Sequence, residues 1–243
     1  MPLRNAPKIL RGAFVEYGLS IPPLFVVFQF NPEQLTRGRS VSFAGPNETL
    51  ECPRCESDTT PRPRTVDRTR SLRQYHKDHG DLSEIQQNQR VTVEEETISF
   101  DIRLDATDKL EDGDLIASQF GVLPQLATLE LLVQPKEEGL LGAAIGSLLG
   151  SSGGFSFTNK PNPPMVLFIW GYKRVLPVNI TSLRVTETVF STLLDPTRAT
   201  VSVSLTVIEG KNPVYSYSKV LKEISSALNL ANVADLVHVV VPG

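Results

Sequence analysis

The residues best suited to chemistry are two cysteines and two histidines in one polar stretch of the chain. Cys52 and Cys55 form a C-x2-C pair, and His76 and His79 form an H-x2-H pair further along. Thiolate and neutral imidazole groups both bind zinc, and four such ligands close a tetrahedral structural site. The cysteine spacing is typical of zinc sites, whereas the histidine spacing is tighter than usual. The four residues predict one structural zinc ion, with a solvated loop or a thiol redox pair as the alternatives.

The stretch that contains these four residues differs in character from the chain around it. Residues 44–88 contain four prolines, many arginines and few large apolar side chains. This composition is typical of a long loop insertion, and a short helix is expected near Leu82–Gln87. Compact domains rarely contain structureless loops of this length, so the insertion is disordered unless a metal ion or a partner orders it.

The elements that would support this insertion are mainly β-strands. From Pro163 to Glu209, three strand-like runs are joined by short turns, which is typical of a β-meander. The runs are Met165–Trp170, Val175–Phe190 and Ala199–Ile208. Every second residue from Val201 to Val207 is apolar, which predicts a strand buried on one face. The first run is apolar on both faces and should be a central strand or one covered twice.

Further elements flank the insertion and the meander. Strands are expected within Lys8–Tyr17, Leu24–Phe30, Leu35–Phe43 and Val91–Leu104, and helices at Pro124–Val133 and Tyr217–Leu228. The glycine-rich segment 139–154 reads as a mobile loop, a short packed helix or an interface patch. The pattern predicts an α+β fold that is mainly β, with residues 1–210 as the β domain and residues 211–243 as a C-terminal helix and tail.

Charge and motifs exclude several classes of function. A net charge of −3 gives no reason to expect nucleic acid as a partner. No apolar run is long enough to span a membrane and no signal peptide is visible, so we expect cytoplasmic synthesis. Asp105–Asp114 does not match the spacing of an EF-hand loop and reads as a solvated turn. No nucleophile elbow, phosphate loop or zinc-protease motif appears, so no enzyme is expected.

Four segments, in this order, resemble the tube proteins of contractile injection systems, which are phage tail-like particles. The segments are Phe28–Ser40 (FQFNPEQLTRGRS), Glu96–Asp108 (ETISFDIRLDATD), Pro163–Gly171 (PPMVLFIWG) and Leu183–Glu209. Each segment is a strand with a turn, and one such segment alone is weak evidence for the resemblance. Together, with a helix between the second and the third, they are a more specific signal.

The resemblance implies a tube-protein-like antiparallel β-sandwich or barrel with a flanking helix, assembled into a hexameric ring. Some members of this family form the inner tube, and others sit at the baseplate as tube initiators between the spike and the tube. The insertion at 44–88, the segment at 139–154 and the lack of a complete C-terminal LysM module favour the baseplate or initiator position. The alternative within the family is the repeating inner-tube subunit.

The resemblance also implies partners and a place of assembly. The partners would be identical copies, a spike or hub protein, the inner-tube protein and other baseplate or sheath proteins. Assembly would take place in the cytoplasm, within a particle that is released or acts from there. A zinc-stabilised binding adaptor outside such a machine is an alternative of a different class, and a small hydrolase with an unrecognised site is a third.

Overall fold

The computed structural model of the protein describes residues 10–18, 24–51, 65–135 and 162–229. The predicted glycine-rich segment 139–154 lies outside these residues. The chain divides into two compact units. Met1–Gly38 and Glu96–Gly243 form the first, which we call the sheet unit, and Arg39–Glu95 forms the second, the insertion unit.

The described residues contain eleven strands and six helices. The strands are β1 (Ala13–Glu16), β2 (Phe25–Val27), β3 (Thr36–Gly38), β4 (Val41–Ala44), β5 (Asn47–Glu51), β6 (Thr65–Thr69), β7 (Arg90–Val93), β8 (Thr97–Asp105), β9 (Val166–Ile169), β10 (Val175–Phe190) and β11 (Pro196–Val207). The helices are α1 (Leu72–Asp78), α2 (Leu82–Asn88), α3 (Thr107–Glu111), α4 (Leu115–Phe120), α5 (Leu123–Leu131) and α6 (Pro213–Leu228).

The sheet unit is built on one antiparallel sheet with the strand order β2-β1-β9-β10-β11-β8-β3. The predicted meander is confirmed, because β9, β10 and β11 are neighbours and β10 has the predicted bounds. β9 lies between β1 and β10, as expected for a run that is apolar on both faces. The predicted class, α+β and mainly β, is also confirmed. The sandwich or barrel of the tube family stays a prediction.

The core lies on one face of this sheet, under helix α5. Every second side chain of β8 is buried, from Ile98 to Leu104, and so is every second one of β11, from Val201 to Val207. Aromatic rings from three strands and the segment after β2 fill the centre: Phe14, Phe28, Phe100 and Phe168. Helix α5 contributes Leu126 and Leu129, and the helix predicted for this part of the chain is therefore present.

Gly121 brings the helices to one end of the sheet. It separates α4 from α5 and has a φ of 55°, a conformation that favours glycine. A Cβ atom on Gly121 would lie 2.1 Å from the carbonyl oxygen of Pro196, at the start of β11. The next residue, Val122, donates its N–H to the same oxygen at 2.8 Å. The junction of α4 and α5 is therefore held against the turn between β10 and β11.

Helix α6 confirms the predicted C-terminal helix and begins earlier than expected. Asn212 caps it, because its side-chain oxygen accepts the N–H of Tyr215 at 2.7 Å, and Pro213 occupies the first turn. The buried Ser218 hydroxyl donates to the Val175 carbonyl at 2.7 Å. These contacts fix α6 at the end of the sheet where β10 begins.

The insertion unit contains two antiparallel ribbons, β4 with β7 and β5 with β6, together with α1 and α2. Helix α2 is the short helix predicted near Leu82–Gln87. Asp81 caps α2 by accepting the N–H of Ser83 at 2.8 Å. Ser71 stands at the equivalent position of α1, where its side chain accepts the N–H of Gln74.

Two predicted strands were wrong in their extent. Leu35–Phe43 forms β3 and β4, and Val91–Leu104 forms β7 and β8; in each case the two halves belong to different sheets. Alternation of side chains continues through both segments, so the pattern gives no sign that the strand changes its partner. The change of partner occurs at the boundary between the two units.

Candidate functional site

The predicted zinc ligands His76 and His79 lie at the end of α1. His76 is exposed in the last helical turn, and His79 follows the helix with an extended backbone. Nδ1 of His79 lies 3.1 Å from the Tyr75 carbonyl oxygen, and Nε2 lies 3.6 Å from a carboxylate oxygen of Glu84. In the tautomer with the hydrogen on Nδ1, His79 donates a hydrogen bond to the Tyr75 carbonyl oxygen, and the lone pair of Nε2 is available for a metal ion. His79 therefore fits the part of a zinc ligand.

Cys52 and Cys55 lie outside the described residues. In the ranges that the structure covers, no three His, Cys, Asp or Glu side chains come together as a metal-binding group. The structure therefore brings the two histidines to one helix end, and their relation to the cysteines stays a prediction. If the four residues meet, the zinc ion would hold the insertion together and have no open coordination position for catalysis.

An ion cluster around Glu96 joins three distant parts of the sheet unit. The Glu96 side chain is only 5% exposed and lies directly before β8. Lys222, on α6, donates to its Oε2 atom at 2.7 Å, and Arg37, on β3, pairs with its Oε1 atom. The cluster ties an edge strand and the C-terminal helix to the start of β8, next to the boundary of the insertion unit.

The pKa of Glu96 is lowered from its ordinary value of 4.5. Burial alone would raise this pKa, because it disfavours the charged carboxylate. Hydrogen bonds from Lys222 and Arg37, together with their positive charges, outweigh the burial. Glu96 therefore stays ionised at neutral pH, as a structural anion between two cations.

Two carboxylates of the acidic segment after β8 organise local structure. Asp114 caps α4 by accepting the N–H groups of Ala117 and Ile116, and these hydrogen bonds lower its pKa. Asp105 is partly desolvated, which would raise its pKa. Hydrogen bonds from Thr107 and Arg198 outweigh this effect and lower the pKa. Both carboxylates hold the local structure in shape. The segment is solvated, as expected, but the predicted turn contains helix α3 from Thr107 to Glu111.

An open groove of about 790 Å³ runs over the polar face of β8 and β11, beside the loop that follows β2. Arg103 pairs with Glu33 at 2.9 Å, and Arg198 pairs with Asp105 at 2.8 Å, along this groove. Among the described residues that line it, hydroxyl groups and paired charges dominate, and none is a histidine or a cysteine. The groove offers hydrogen bonds to a ligand or a neighbouring chain.

Strand β10 has a long edge without a partner strand in the described part of the chain. It pairs with β9 only from Val175 to Val178, whereas its other edge pairs with β11 along nearly its whole length. The edge of Asn179–Phe190 that faces away from β11 therefore presents backbone N–H and C=O groups that can pair with another chain.

The insertion unit carries an exposed apolar face on its β4–β7 ribbon. Val41 lies opposite Val93, and Phe43 lies opposite Val91, so the four side chains share one face of the ribbon. Each of them is about half exposed. An amphipathic ribbon of this kind usually has its apolar face covered, because two strands alone are only marginally stable.

Comparison with known proteins does not assign the chain to a protein family. No family model matches the chain, and no curated protein matches it. Over the described residues, none of the helices is both long enough and apolar enough to cross a membrane.

Sequence reasoning missed the cluster around Glu96 and the edge of β10 that has no partner strand in the described ranges. The run of three glutamates that ends at Glu96 was the only local signal for the cluster. The partners Arg37 and Lys222 are 59 and 126 residues away, so only the fold identifies them. The second feature arises because β10 has 16 residues, whereas β9, its neighbour on that side, has only four. The sequence does not show which strands will be neighbours.

Proposed function

We propose that this chain is a structural, non-enzymatic subunit of a ring in a contractile injection system, placed where the inner tube meets the baseplate. The proposal rests on the edge of β10 from Asn179 to Phe190, which has no partner strand among the described residues, in an antiparallel sheet whose segments follow the order of the tube family. Such an edge is a template for a strand of another chain.

Pairing through such an edge can assemble identical copies into a ring. A strand edge that pairs with a different surface of an identical copy makes a heterologous contact, and repetition of that contact closes a ring or continues as a filament. The resemblance to tube proteins favours closure with six copies. The work of this subunit would be mechanical: it would align the tube with the spike and pass on the trigger of contraction.

The repeating inner-tube subunit is the second candidate. Such a subunit would meet identical copies at both of its ends. A subunit confined to one layer would meet a different protein at each end.

A pull-down from the producing cells tests the proposal. The chain would carry a small affinity tag after Gly243, and the captured material would be analysed by sedimentation and mass spectrometry. We expect a large particle that contains sheath-like and spike-like proteins. Recovery of the chain only as a free monomer, with none of these proteins, would reject the proposal. The genes next to its own should also encode sheath and spike proteins.

A further inference from the structure

Strand β8 has a short gap in its pairing on the side away from β11. On that side β3 pairs only with residues 97–99 of β8. At the other end of the strand, a side chain occupies the place of a partner strand. The Gln29 amide donates to the Asp105 carbonyl oxygen at 2.6 Å and accepts the Asp105 N–H at 2.9 Å. Between these two contacts, this side of β8 has no partner strand among the described residues.

Two residues of β8 direct their backbone groups into this gap. In an antiparallel pair, successive residues of a strand point their N–H and C=O groups to opposite sides. Glu96, directly before β8, accepts the N–H of Val207 at the end of β11. Every second residue counted from Glu96 therefore faces β11, whereas Asp101 and Arg103 face the gap. Their two N–H and two C=O groups form no hydrogen bond within the part of the chain that the structure describes.

The gap opens into the polar groove of about 790 Å³, and residues 30–34 line its opposite side. Glu33 of this loop reaches across to Arg103 at 2.9 Å, and both side chains are mostly exposed. Exposed ion pairs contribute little to stability, so the loop can move aside at small cost. The groove therefore gives an extended chain access to the unpaired edge without disruption of the sheet.

One carboxylate in the groove has no partner. The arginines that line the groove, Arg103 and Arg198, are paired with Glu33 and Asp105. The exposed Asp101 side chain forms no ion pair or hydrogen bond within the described ranges. In an added strand, the side chain directly opposite Asp101 would lie on the same face of the sheet. A basic side chain at that position would pair with Asp101.

We propose that this gap binds an extended peptide segment of another protein, with a lysine or arginine opposite Asp101. The segment would lie antiparallel to β8 and exchange backbone hydrogen bonds with Asp101 and Arg103, as in recognition by addition of a strand. Every second side chain of the segment would face the groove, where Thr200 and Ser202 of β11 supply hydroxyl groups. The segment should therefore be polar on one face as well as basic.

The closed ends of the gap favour a single extended chain over the edge of a second copy. Strand β3 closes one end and the contact of Gln29 with Asp105 closes the other, which leaves a length of about 20 Å at the usual rise per residue. A strand that already belongs to a sheet brings its neighbours with it, and the loop of residues 30–34 stands in their place. The proposed ring uses β10 instead, so the peptide site does not depend on the ring.

Titration of the full chain with synthetic peptides tests the site. The probe is acetyl-Thr-Val-Lys-Val-Thr-amide, in which the lysine is placed for Asp101. A second probe carries a methyl group on the lysine backbone nitrogen, which removes a donor that would face β8. A third probe has glutamine in place of lysine. NMR of the isotope-labelled protein would follow the amide signals of Asp101 and Arg103.

The lysine probe should shift both amide signals in a saturable way, with a Kd of roughly 0.1–1 mM because the contact is small. The methylated probe should bind about tenfold more weakly or not at all, since a hydrogen bond is lost and a carbonyl group is left unpaired. Binding of the methylated probe with equal strength would overturn the proposal. So would the absence of any shift at these two amides up to the solubility limit of the lysine probe.

Asp101→Asn tests the charge while it keeps the shape of the side chain and the backbone. The variant should bind the lysine probe about threefold to fivefold more weakly than the wild type and the glutamine probe equally well. Asp112→Asn is the matched control, because Asp112 is exposed outside the groove and should bind both probes as the wild type does. Equal weakening in the two variants, or none in Asp101→Asn, would overturn the assignment of a basic residue to this position.

Other occupants of the groove give different results. Cellohexaose, a neutral oligosaccharide, should leave the two amide signals unchanged. Shifts with this sugar and with no peptide would make the groove a polyol site and reject the proposal. Shifts that follow the protein concentration alone, without a probe, would identify a second copy as the occupant and would also reject it.

Discussion

At the scale of single residues, Glu96 is the group whose removal should matter most for stability. Its carboxylate is buried between Arg37 and Lys222. Glu96→Gln keeps the shape of the side chain but leaves two cations without their anion. We expect the free energy of unfolding at neutral pH to fall by roughly 1–3 kcal/mol. Chemical denaturation measures this loss, and Glu95→Gln, at an exposed neighbour, should stay within about 0.5 kcal/mol of the wild type.

The difference in stability between the wild type and Glu96→Gln should depend on pH. The pKa of Glu96 is lower in the folded protein than the ordinary value of 4.5 that applies when the chain is unfolded. The stabilisation is therefore complete above about pH 4.5 and is lost as the pH falls through the lower, folded-state pKa. The difference in stability between the wild type and Glu96→Gln should shrink in acid. A difference that stays constant down to pH 2 would contradict this role of the carboxylate.

The zinc hypothesis also belongs to the residue scale. Purified protein should contain about one zinc ion per chain, as expected for a Cys2His2 site. Cys52→Ser and His79→Gln should each lose the metal in elemental analysis, whereas Thr60→Ser, a nearby change that removes no ligand, should keep it. A chain that contains no zinc after growth and purification in zinc-containing medium would reject the site.

At the scale of elements, a buried hydroxyl group helps to attach α6 to the sheet, in addition to the ion pair between Lys222 and Glu96. Ser218 donates to the carbonyl of Val175 and accepts its N–H. Ser218→Ala leaves both backbone groups without this partner and should destabilise the sheet unit by about 1–2 kcal/mol. Ser225→Ala removes a hydroxyl from the exposed part of the same helix and should have almost no effect. Equal losses in the two variants would show that Ser218 has no special part in holding the helix.

The edge of β10 should change its hydrogen exchange on assembly. If Asn179–Phe190 pairs with a neighbouring copy, alternate amides in this range should exchange slowly in the assembled protein and rapidly in the monomer. Amides of β11 are paired inside the sheet and should be protected in both states. Rapid exchange of all the outer amides of β10 in assembled protein would mean that assembly uses another surface.

The sequence predicted the strands and helices better than it predicted which of their faces pack against each other. Alternation from Ile98 to Leu104 marks a buried face because only one side of that strand meets the core. The spacing of Val220 and Ile224 predicted helix α6, and a helix with such a stripe usually buries it. Here Ser218 faces the sheet and the stripe is half exposed. Which face of a helix packs on the sheet depends on contacts between residues that are distant in sequence. An apolar stripe that binds another molecule has the same spacing as one that packs in a core, so the sequence alone does not distinguish them.

At the scale of the whole molecule, the sheet unit offers one long strand edge for assembly. The edge of β10 from Asn179 to Phe190 has no partner strand among the described residues and suits the closure of a ring. The ring matters more than the zinc site for the proposed function, because the zinc ion would only order one part of the subunit.

Electron microscopy of the material purified with this chain from its own cells tests the proposed ring most directly. With a tag on the chain to mark its position, we predict density for a closed ring of identical copies between the spike and the tube, with six copies expected from the resemblance to tube proteins. The sheet of each copy should meet the next copy along β10. Particles in which the tag marks no ring, or a chain seen only as a monomer apart from any such particle, would contradict the account.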